Sequence, residues 1–113
     1  MSLIRALEEH RKKIHDLATK LSALIWRITK VVCMSRADIF LLEDGITINC
    51  LYNIITYKGV EYEENDLLPL DIIVSILQPK NFEFLLSLIY NKSILKQLKE
   101  ELLRDAEIID RLL

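Results

Sequence analysis

ADIFLLEDGITINCLYNIITYKGVEY, residues 37–62, decides the class of the fold. It holds both glycines of the chain and is dense in Ile, Tyr and Thr, residues that suit a pleated, half-buried surface. ADIFLL and ITINCLYNIITY read as strands joined at Glu43-Asp44-Gly45, and a second turn at Lys58-Gly59 leads into a short strand, VEY. In the long middle strand, Ile46, Ile48, Cys50, Tyr52 and Ile54 share one parity, and Leu51, Ile55 and Tyr57 the other. Apolar side chains on both parities predict a strand covered on both faces, by helices of this chain or of a partner.

On either side of this segment the apolar period changes from two to three and four. Leu3, Leu7, Ile14, Leu17, Leu21, Leu24, Ile25, Ile28 and Val32 recur at helical spacing, which predicts one long helix over residues 3–32 with Ser2 as its N-cap. Such a helix is about 45 Å long. A compact domain of this size has a radius of gyration of only about 13 Å. Part of the helix is therefore expected to protrude or to meet another chain. After residue 62, Pro69 suits the first turn of a helix over LLPLDIIVSIL and Pro79 closes it. Asn81 is a candidate cap for FEFLLSLIY, and a break at Asn91-Lys92-Ser93 precedes a last helix striped by Leu95, Leu98, Leu102, Ile109 and Leu112. Asp105 interrupts that stripe, so a long zipper is not expected but a short helical interface is.

The expected fold is α+β in a single domain over 1–113: a long N-terminal helix (3–32), a two- or three-stranded antiparallel meander (37–62) and three C-terminal helices (66–113). At 113 residues and 51% apolar composition the chain can bury a small core. A homo-oligomer is expected, most simply a two-fold dimer, with Leu7, Ile14 and Leu21 of the first helix and Leu98, Leu102, Ile109 and Leu112 of the last as its contacts. No leader segment or membrane-length apolar run is read, so no membrane partner is expected. Cys33 and Cys50 form neither a CxxC motif nor a disulfide framework and read as small buried hydrophobes in a reducing cytoplasm.

Chemistry is sparse. Two isolated glycines cannot build a phosphate-binding loop, and no zinc spacing or nucleophile elbow is present. His10 and His15 point about 140° apart on a helix and do not converge on one ion. The acids of EYEEND, residues 61–66, match no calcium-loop spacing and read as a solvated strand end. An enzyme is not expected, nor a metal or cofactor.

Charge is distributed unevenly. Residues 1–36 carry eight Lys/Arg against three Asp/Glu, and the remainder carries seven against fourteen. Trp26, the single tryptophan, lies off the apolar stripe of the first helix, with Arg27 and Lys30 close by. One reading makes this a surface for single-stranded nucleic acid. Lys12, Lys13, Lys20, Arg27, Lys30 and Arg36 would neutralise phosphates, and Trp26 would stack on a base. The alternative is a protein-interaction or assembly subunit, with the basic face against an acidic partner or second protomer and Trp26 plugging a second packing interface. The element order, with Trp26 in its basic setting, is loosely similar to the small archaeal single-stranded DNA-binding proteins that lack an OB-fold. That likeness implies the first reading.

Overall fold

The computed structural model describes residues 2–34 and 36–112, apart from the side chains of residues 102, 105, 106 and 108–112. Helix α1 spans Leu3–Cys33, and Ser2 Oγ accepts the Arg5 amide at 3.2 Å as its N-cap. Four strands follow: β1 (Ile39–Leu41), β2 (Thr47–Asn49), β3 (Ile54–Tyr57) and β4 (Val60–Glu63). They form one antiparallel sheet in the order β1-β2-β3-β4. Helices α2 (Leu70–Ile76), α3 (Pro79–Ser87) and α4 (Lys92–Leu112) complete an α+β fold.

The strand count is four, not two or three. The long middle strand is broken at Cys50–Asn53, where Asn53 takes a left-handed conformation (φ 54°) and the chain reverses. A reversal there flips the parity of every later residue. Ile48 is therefore opposite Ile55, and Phe40 and Tyr62 extend the same row across the sheet. Apolar residues at both parities also fit a hairpin, and the described residues of this chain cover only one face of the sheet. Phe40, Ile48 and Ile55 turn inward, whereas Ile39, Leu41, Glu61 and Glu63 lie exposed on the outer face. At Lys58-Gly59 both turn residues have positive φ (50° and 77°), as a two-residue I′ hairpin requires.

The core is one cluster. Leu21, Ile25, Ile28 and Val32 of α1 join the inward row of the sheet, Ile72, Ile73 and Ile76 of α2, Leu85 of α3 and Leu98 of α4. Pro79 opens α3, because the missing proline N–H is an orphan in the first turn of any helix. Asn81 is not its cap. It is buried; its Oδ1 accepts the Glu43 amide at 2.7 Å and its Nδ2 donates to the Ser75 carbonyl at 2.8 Å. Asp44 accepts from Ser75 Oγ and Gln78 Nε2, both at 2.8 Å. The α2–α3 corner is thus tied to the β1–β2 loop by satisfied polar groups. Asn91 caps α4, its Oδ1 accepting the Ser93 and Ile94 amides.

Cys33 and Cys50 are joined in a disulfide, which corrects their reading as reduced hydrophobes. The pairing of β1 with β2 sets Cys50 beside Asp38, close to the end of α1, and the two cysteine Cα atoms lie 5.1 Å apart across 17 residues of sequence. Disulfides persist in oxidising surroundings, so the argument for a reducing compartment no longer holds. No helix among the described residues is long and apolar enough to cross a membrane.

Candidate functional site

Helix α1 has two unlike halves. From Ala18 to Val32 it buries Ala18, Leu21, Ser22, Leu24, Ile25, Trp26, Ile28, Thr29 and Val32. These positions cover roughly 200° of its circumference, far more than one apolar stripe. The widening has a specific cause. The segment after β4 runs along a second side of the helix, where the Asp66 carbonyl accepts both Trp26 Nε1 (2.8 Å) and Ser22 Oγ (3.2 Å). Ser22 Oγ in turn accepts the Leu68 amide at 2.9 Å. The Asp66 carboxylate takes the Glu63 amide at 2.8 Å, closing the turn that places this segment.

Trp26 is only 4% exposed. Its indole is a packed side chain with a satisfied N–H, and it offers no open face on which a base could stack. Of the expected phosphate ligands, Arg27 pairs with Glu101 (3.3 Å) and Lys30 with Glu64 (3.8 Å). Arg36 makes a two-pronged contact with Asp38, Nε to Oδ1 at 3.0 Å and Nη2 to Oδ2 at 2.7 Å. Hydrogen bonding to Arg36 holds the Asp38 carboxyl below the usual carboxylate range, against the opposing effect of desolvation. Lys12 and Lys13 are exposed on the other half of α1, and Lys20 lines a half-open cleft of about 430 Å³ between α1 and α4 with Arg27, Glu101 and Arg104. The expected basic face is therefore not one surface. Its C-terminal cations each face a carboxylate of the same chain.

Residues 3–13 form the other half of α1 and are exposed at every position. Leu3 is 75% exposed, Ile4 70% and Leu7 51%. Ile14 and Leu17 are half-buried, and Leu21 is fully buried. The same stripe thus runs from solvent into the core. Among the expected oligomer contacts, Leu7 is on the open part and Ile14 at its border. Leu21 and Leu98 are corrected, since both are fully buried in the core of this chain and cannot meet another. The side chains of Leu102, Ile109 and Leu112 lie outside the described residues.

A second open surface was missed from the sequence. On the outer face of the sheet, one row runs Ile39, Asn49, Ile54, Glu63 and the next runs Leu41, Thr47, Thr56, Glu61. Each row is apolar at β1 and acidic at β4. The signal for it was the pair Asn49 and Asn53 flanking the reversal; once the turn is placed there, the register follows. Among the described residues no three His, Cys, Asp or Glu side chains gather as a metal site would require. Compared with family models, curated proteins and solved structures, the chain matches none.

Proposed function

We propose that this chain is a non-catalytic interaction or assembly protein that docks through the N-terminal half of α1. The observation that carries this reading is the exposed stripe of Leu3, Ile4 and Leu7, continuous with residues buried from Leu21 onward. A helix half of this length is marginal in water without a packed face, because isolated helices shorter than about 12–15 residues gain little from propensity alone. Docking supplies the missing cover. The ion pairs of Arg27, Lys30 and Arg36, and the buried indole of Trp26, favour this reading over phosphate binding along the whole helix.

Sedimentation over a range of protein concentrations tests it, with the wild-type chain beside a Leu3→Ser/Leu7→Ser variant. The expected result is concentration-dependent association that the variant weakens at unchanged thermal stability. A chain that stays monomeric throughout, and instead takes up a single-stranded oligonucleotide with a steep salt dependence, would overturn the reading in favour of nucleic-acid binding.

A further inference from the structure

We infer that the occupant of the α1 stripe is the outer face of the β-sheet of a second copy of this chain. This rests on the docking role proposed above and names its partner. Leu3, Ile4, Leu7 and Arg11 fall within an arc of about 100° on α1. Along that arc the first three are apolar and Arg11, one turn beyond Leu7, is basic. The sheet's outer rows have the matching order, from Ile39 and Leu41 on β1 to Glu63 and Glu61 on β4.

The dimensions agree as well. From Leu3 to Arg11 the helix rises about 12 Å. From β1 to β4 the sheet spans about 14 Å. A helix laid across the strands sets Leu3, Ile4 and Leu7 on Ile39 and Leu41 while Arg11 reaches Glu61 and Glu63. Neither acid nor Arg11 has an ion-pair partner among the described residues, so these charges are available to each other.

The contact has to be between copies. Within one chain, α1 shares its core with the inward row Phe40, Ile48 and Ile55, which places the helix on the opposite side of the sheet from the outer rows. A straight helix cannot bring its own Leu3 round to the other face. Helix and outer sheet face are different patches, so each copy gives one and receives one. Reciprocal exchange closes a dimer, and head-to-tail repetition builds a longer assembly.

Photo-crosslinking in the full chain tests the placement, with benzoylphenylalanine in place of Ile4 and equal parts of isotopically light and heavy protein. Mixed-mass crosslinks from residue 4 to residues 39–56 are the expected result. Mixed-mass crosslinks to residues 3–17 would mean that the helices pair with each other; the docking role would stand and the sheet would be excluded as its occupant. A chain giving no mixed-mass crosslink and sedimenting as a monomer would sink both ideas.

A charge exchange gives an independent check. Glu61→Lys/Glu63→Lys and Arg11→Glu should each weaken self-association by roughly tenfold or more, since each sets like charges face to face. Mixing the two variants should restore it, because each then offers what the other lacks. Failure of the mixture to associate, with both variants folded, would contradict the inferred contact.

Discussion

The two halves of α1 share a helical period and one unbroken backbone, yet one is buried and the other exposed. From residue 18 onward the helix is the axis of the core, covered on one side by the sheet and short helices and on another by the segment around Asp66. Before residue 14 every described position of it is exposed. Helical periodicity says which side of a helix is apolar; it does not say how far along that side the chain's own core extends. The difference lies in tertiary packing, and it is where an interaction surface can be recognised.

The largest effect that sharpens this contrast is a matched pair of truncations. Leu21→Ala should lower unfolding free energy by about 3 kcal/mol, through lost burial and an unfilled cavity. Leu7→Ala in dilute solution should change it by less than about 0.5 kcal/mol. Urea denaturation followed by circular dichroism reads both. Equal losses would mean that the exposed half is already packed.

Next comes the disulfide. Reduction, or Cys50→Ser, frees a loop of 17 residues. Closure of a loop of this size is worth about 3 kcal/mol in the chain-entropy model. The melting temperature should fall accordingly, with the exposed half of α1 unaffected. An unchanged melting temperature under reductant would show that the cross-link does not hold the end of α1 to the sheet.

A smaller loss is expected from Ser22→Ala, about 1–2 kcal/mol, because the buried Leu68 amide loses its acceptor. The same change at an exposed position such as Ser87 should cost far less. Chemical denaturation of the two variants separates them, and similar losses would argue against the second covered side of α1.

Smallest is the pH response of the Arg36–Asp38 pair just past the end of α1. The Asp38 carboxyl is held below its ordinary range, so the stabilisation is present above the unfolded value and disappears as pH falls through the folded one. A carbon-detected NMR titration should find a depressed Asp38 midpoint. Arg36→Gln should return it to the ordinary value, and a normal midpoint in the wild type would deny the pairing.

Much of this was legible in the residues. The period of α1, the Ser2 cap and the Lys58-Gly59 turn follow from local rules, and there local rules held, whereas Pro69 stands just before α2 as its N-cap and Pro79 opens α3. The failures were non-local. The reversal at Cys50–Asn53 contains neither glycine nor proline, so Asn53 in a left-handed conformation gave little warning. The disulfide depends on how the β1–β2 hairpin packs back against the end of α1, which the spacing of the two cysteines does not show. Asn81 resembled a helix cap because its true partners, Glu43 and Ser75, are set by how the α2–α3 corner meets the sheet. Trp26 stood off the apolar stripe, and only the path of residues 64–68 shows that this side of the helix is covered too.

Amide hydrogen exchange along α1, at low and at high protein concentration, tests the central contrast most directly. Residues 18–33 should be protected to the level of global unfolding at both concentrations. Residues 4–13 should exchange rapidly in dilute solution and become protected as the copies associate. Strong protection of residues 4–13 in the dilute monomer, or rapid exchange there in a demonstrably associated sample, would contradict the assignment of this half of the helix as the docking surface.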